Sequence, residues 1–208
     1  YAVGGGTNPF SDPVSLAFLD AYNAGVFVAT AAGNTGLGTV NHASPWTTTA
    51  GATTINRSFQ STLYLAATGG AALTLTGVTV TGGLYSGTPI VNAADYGDPN
   101  CANAAPAGTF AGRIVVCARG GNARTEKSFN VQQRGAVGMV LINPSNLGTS
   151  TDSHYLPTVH LEKPASDALL AFLAAGTGEI AAFTRGLATA ATGDTMASFS
   201  SRGGATQL

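Results

Sequence analysis

Residues 26–36 read VFVATAAGNTG. An apolar run leads into the small residues Ala31, Ala32 and Gly33 and then into Asn34. In acyl transfer, negative charge develops on the attacked carbonyl oxygen, and a carboxamide N–H held in place can donate to it. Small side chains just before that donor let an extended substrate lie alongside. Gly-Asn is also ordinary turn sequence, and on these four residues alone the turn is the better reading of Asn34. A donor needs a nucleophile and a base to serve. A Gly-Thr-Ser occurs at 148–150 with His154 four residues on. It sits in a Ser-, Thr- and Asn-rich stretch with no buried carboxylate apparent to orient the imidazole, which is the pattern of plain surface.

Metal chemistry finds little support. His42, His154, His160 and two cysteines are too scattered for a zinc pattern. Asp95, Asp98 and Asp152 lie in Gly-, Asn- and Ser-rich stretches and could offer oxygens to Ca²⁺. No dense Asp-x-Asp-x-Asp loop accompanies them, so turn-forming aspartates are the better reading. No cofactor is expected. Cys101 and Cys117 flank a predicted strand and are either two buried thiols or a disulfide. As a disulfide they would stabilise the fold by roughly 3 kcal/mol on the chain-entropy account.

Positioning these residues requires regular elements. Ser11 or Asp12 can cap a helix with Pro13 in its first turn. Val14, Ala17, Phe18, Ala21 and Tyr22 then share one face. Gly25 ends the helix, and 26–32 is predicted as an apolar strand buried on both faces. With a short strand at YAVGG this makes a βαβ unit and a parallel sheet. After about Phe59 the texture changes. Residues 72–83 alternate Leu and Val with Thr, as half-exposed antiparallel strands do. Strands follow at 113–118 and 137–142 with a helix from about Arg124 to Gly135 between them. Residues 156–173 give a strand and a helix with Leu169, Phe172 and Leu173 on one face. MASFSSRGG, at 196–204, reads as a strand resuming an interrupted fold.

Composition limits the function classes. The chain has 208 residues, enough for one or two cores. Only 9% are charged and net charge is −1, with no basic run, so nothing favours nucleic acid. No apolar stretch is long enough to span a bilayer. A polar but uncharged surface with 28 glycines fits a secreted protein. With no initiating Met and no signal sequence, an internal piece of a longer chain is expected.

Four stretches in order resemble the subtilisin-like serine proteases: YAVGGG at 1–6, GVFVATAAGNTG at 25–36, ASPWTTTAGAT at 43–53 and MASFSSRG at 196–203. A longer ordered match resembles the protease-associated (PA) domain: GTFAGRIVVCARGG at 108–121, EKSFNVQQRGAVGMVLINP at 126–144 and LPTVHLEKPASDALLAFL at 156–173. The resemblance implies an α/β fold in which a partial parallel-sheet core, 1–60 with a return strand at 194–208, is interrupted at 61–193 by an α+β PA domain with antiparallel strands. It implies that Val3, Gly4 and Gly5 face Ala31, Ala32 and Gly33 across the substrate, with Asn34 in the oxyanion hole. The family's Asp, His and Ser motif contexts do not occur here, so the intact parent would be the endopeptidase and this chain alone inactive. Implied partners are a protein or peptide substrate, the rest of the protease chain, and a further copy through the PA domain. The alternative implied is a catalytically silent PA binding module. Ala2 replaces the usual Ser, and SSRGG followed by ATQL departs from the family's continuation.

Overall fold

In a computed structural model, residues 8–103 and 106–203 are described, and they divide into two compact units, 1–57 with 190–208, and 58–189. The YAVGG strand, with Val3, Gly4 and Gly5, lies outside the described residues, as does GATQL.

In the first unit, α1 spans Pro13–Asn23. Asp12 is its cap, accepting the Ser15 N–H at 2.8 Å. Its most buried residue is Ser15, whose carbonyl accepts the Trp46 indole N–H at 2.8 Å, while Val14 and Phe18 are only half-buried. Gly25 follows at φ +82°. β1 (Ala29–Ala31) and β2 (Thr48–Ala50) run parallel. The strand is therefore shorter than the predicted 26–32, and Val26 and Phe27 are 54% and 75% exposed rather than buried. A strand is buried on both faces only where packed layers cover both sides of its sheet, and among the described residues β1 pairs with β2 alone.

The predicted return strand at 196–204 is likewise corrected. Met196 bridges Thr53 and the Ala197 N–H reaches Ala52 O at 2.9 Å. The chain then turns, Ser200 N–H to Ala197 O, and Arg202 bridges Leu37 instead. Bonds shared between two partners make a bridging turn, not a ladder.

The second unit is built on one sheet. Its strands are β3 (Arg57–Ala66), β4 (Ala72–Val78), β5 (Leu84–Asn92), β6 (Ile114–Ala118), β7 (Gly138–Ile142), β8 (Thr158–Leu161), β9 (Ile180–Phe183) and β10 (Leu187–Ala190). The order is β10-β3-β4-β8-β7-β6-β5-β9, and β9 pairs back onto β3, so seven strands close on themselves. The antiparallel pairs expected are present at β3–β4, β3–β9, β4–β8 and β5–β9, and β5 to β8 add a parallel half. Helices α2 (Arg124–Gln133) and α3 (Lys163–Ala175) complete it.

Each parallel strand feeds two cores because successive side chains alternate faces. Ile114 and Val116 pack with Val140, Ile142 and α3's Leu169, whereas Val115 and Cys117 pack with Met139, Leu141 and α2's Val131. This is why IVVCA and GMVLI read as unbroken apolar runs. Cys101 and Cys117 are joined as a disulfide inside the second of these cores.

Candidate functional site

Asn34 is exposed, three residues past the carboxyl end of β1, at the tip of a loop whose backbone is held at many points. Ala32 is buried, its N–H on Ala50 O at 2.9 Å and its carbonyl accepting Asn41 N–H at 2.8 Å. Gly33 has φ +106°, and a Cβ there would come within 2.7 Å of Asn41 Nδ2 and 2.9 Å of Ser201 Oγ. Only glycine meets both demands. Ser201, buried, clamps the loop. Its N–H donates to Gly33 O at 2.9 Å, and its hydroxyl accepts Thr35 N–H at 3.1 Å while lying 3.1 Å from the Thr35 and Thr39 hydroxyls. Gly36 N–H reaches Phe199 O and Gly38 N–H reaches Arg202 O. The loop's backbone is thus held at several points, and Asn34 is exposed on it. Sequence reading placed Ala31, Ala32, Gly33 and Asn34 together but missed Ser201. Its signal was only a serine in a Ser-Ser-Arg-Gly run 166 residues from Thr35.

The second unit carries buried polar networks. Lys127 is fully buried, its ammonium donating to Asn100 O and Gly120 O at 2.6 Å each and to Asn122 Oδ1. Burial pushes its pKa down to about 8, so it stays a cation at neutral pH. Arg134, 2% exposed, meets Asp98 at 3.3 Å and lies 5.7 Å from the Phe110 ring centroid. Burial pushes the Asp98 carboxyl up, but N–H bonds from Ala102 and Asn103 together with Arg134 hold it below the usual carboxylate range. Asp152 is held low by the Arg124 guanidinium in a two-bond pair. Two of the three aspartates weighed for Ca²⁺ are thus taken up by arginines. Among the described residues no group of three His, Cys, Asp or Glu could hold a metal ion.

The Gly-Thr-Ser hydroxyl gains no base. His154 Nδ1 lies 3.1 Å from Ser128 Oγ, and Ser128 is fully buried with its hydroxyl on Thr125 O at 2.6 Å. His160 Nδ1 lies 3.1 Å from Ser150 N and 3.0 Å from Ser150 O, and its Nε2 lies 2.9 Å from Asn143 Oδ1. Burial pushes His154 down to about 4, and burial also lowers His160. Both are neutral in the fold where an unfolded histidine would titrate near 6.5. Between pH 6.5 and 4 the unfolded chain therefore binds more protons than the folded one. The stabilisation is complete above 6.5 and is lost as pH falls toward 4. After solvent screening of the partly exposed His154, this group should contribute up to about 1 kcal/mol per pH unit within that window. Urea unfolding of the chain at pH 7, 6 and 5 reads this slope. Replacing His154 with Gln should flatten it.

Residues 75–169 match the PA domain family model. The chain is 35% identical to subtilisin-like protease SBT1.3 of Arabidopsis thaliana, the match covering 76% of this chain and 22% of that protein. With SBT1.6 of the same plant the identity is 30%, over 97% of this chain and 28% of the relative. This stretch is subtilisin-like protease sequence carrying a PA domain. The subtilase segment thus spans between about a fifth and a third of the curated relatives it matches. Among solved structures, an aminopeptidase from Aneurinibacillus sp. strain AM-1 is similar over 68% of this chain and 36% of its own, at 19% identity and a TM-score of 0.44. The PA match includes β6, β7, β8 and α2 entire, and with them the disulfide's Cys117 and the buried Lys127. No helix among the described residues is long and apolar enough to cross a membrane.

Proposed function

We propose that this subtilase segment supplies substrate-binding strands and one oxyanion donor to a secreted serine endopeptidase. The observation that carries the reading is Asn34, exposed beyond β1 on a loop whose own backbone bonds are made within the unit. In the complete enzyme a serine attacks the scissile carbonyl, a histidine takes its proton, and an aspartate orients that histidine. Asn34 Nδ2–H donates to the oxygen as it gains charge. Ala31, Ala32 and Gly33 line one side of the bound peptide, and Val3, Gly4 and Gly5 the other. The three triad residues come from the remainder of the parent chain, since none of their sequence contexts occurs in these 208 residues. The PA domain, inserted between Thr54 and Ala197 of the protease sequence, adds a surface for a protein or peptide partner. Secretion is supported by the Cys101–Cys117 bond, which suits an oxidising compartment.

A fluorophosphonate probe tests the division of labour. It should label the full-length parent and leave the 208-residue chain unlabelled. Labelling of the short chain above a heat-denatured control would mean that it holds its own activated serine, and the reading would fall.

A further inference from the structure

We propose that Asn56 is an N-glycosylation site, an inference that rests on the secretory reading given above. Asn56-Arg57-Ser58 is an Asn-x-Ser acceptor with a permitted middle residue. Asn56 and Arg57 are both exposed, immediately where β3 begins. The backbone at Asn56 is fixed, its carbonyl accepting Ala191 N–H at 3.0 Å, so the segment is ordered and its side chain is presented rather than buried. Gly193 supports this. A Cβ at 193 would stand 2.8 Å from Asn56 N and 3.2 Å from Asn56 Cβ, and its absence keeps that flank of the asparagine uncrowded.

A second asparagine in the same chain sharpens the contrast. Asn143-Pro144-Ser145 has the outline of an acceptor, but proline in the middle position excludes it. Asn143 is moreover 1% exposed, with its amide donating to Glu162 Oε1 at 3.1 Å and Gly148 O at 3.0 Å. Asn56 differs from it in both respects.

The donor required is an oligosaccharide on a polyprenyl diphosphate, delivered by a membrane-bound transferase. The Asn56 Nδ2 forms a bond to the anomeric carbon, and the carbon–oxygen bond to the diphosphate breaks. The diphosphate leaves with that electron pair, and the Nδ2 proton passes to the transferase's base. A glycan here would cover the exposed residues 53–57.

The chain should be expressed behind a secretion leader in yeast, and the glycan read on total cellular and exported protein together, because the sugar is added before export. Treatment with a peptide N-glycosidase in heavy-oxygen water should shift the band downward and leave Asn56 as aspartate carrying the heavy oxygen. Asn56→Gln and Ser58→Ala should each abolish the shift, and Ser58→Thr should keep or raise it. Leader-driven protein with its disulfide formed but Asn56 unmodified would overturn the proposal. The secretory reading is tested apart from it, by locating the protein in its natural source. An unexported natural protein would refute that reading while a glycosylated yeast product still upheld the acceptor's accessibility.

Discussion

Replacing Asn34 with alanine in the intact parent protease is expected to lower kcat by about 10²–10³ and to leave KM little changed. The donor meets the substrate oxygen fully only once charge has developed on it, so its loss falls on the chemical step. The surrounding geometry makes the experiment clean. Asn34 is exposed, so truncation opens no cavity, and the loop is clamped through Gly33, Thr35 and Gly36 rather than through the Asn34 side chain. Thermal stability should therefore be unaltered. Asn34→Asp keeps the size but removes the donor, and should lose at least as much turnover. Unchanged kcat with a raised KM would reduce Asn34 to a turn residue. Ser201→Ala serves as the counterpart. It removes the hydroxyl that accepts Thr35 N–H while the backbone bonds to Gly33, Gly36 and Gly38 persist, so a smaller loss of turnover should come with weakened substrate binding.

Lys127→Met should destabilise the PA-bearing unit by about 3 kcal/mol or more. Methionine fills much of the same volume, so the packing loss is small. What remains is a set of acceptors without a donor: Asn100 O, Gly120 O and Asn122 Oδ1. Each buried unsatisfied acceptor costs about 1–3 kcal/mol, and three converge here. The site of the damage also matters. Asn100 adjoins Cys101, and Gly120 follows the strand that carries Cys117, so the ammonium joins the chain segments on both sides of the disulfide. Arginine should not rescue, because a planar fork cannot reproduce three converging bonds from one nitrogen. Urea midpoints of the wild type and both variants measure this. A loss below about 1 kcal/mol would show that water replaces the lysine at no cost.

The elements legible in the sequence were those with local signatures. Asp12 and Pro13 announce α1, and the runs IVVCA and GMVLI announce β6 and β7. β5 was not legible because Gly87 and Pro89 sit inside it and read as breakers. Both have structural reasons. A Cβ at Gly87 would press within 2.7 Å of Ile180 Cδ1, and the β5–β9 register shifts between Leu84 and Thr88, a local irregularity that absorbs them. β9 and β10 are four residues each, too short for a period to declare itself. In the protease unit, the apolar run at 26–32 overstated the strand because apolarity reports that a residue will be covered, not which neighbour covers it. The place of Asn34 just past a strand was readable from the apolar run before it. Ser201 was not, since a tie across 166 residues leaves no periodicity at either end.

That tie sets an order of events during synthesis. Thr35 leaves the ribosome long before Ser201, and at the usual 5–20 residues per second the interval is roughly ten to thirty seconds. Throughout it the Asn34 loop has no clamp. Residues 58–189 emerge within the same interval and contain all the strands of the closed sheet, apart from the terminal residues Arg57 and Ala190. The unit of residues 58–189 can thus be complete before the Asn34 loop is locked by Ser201.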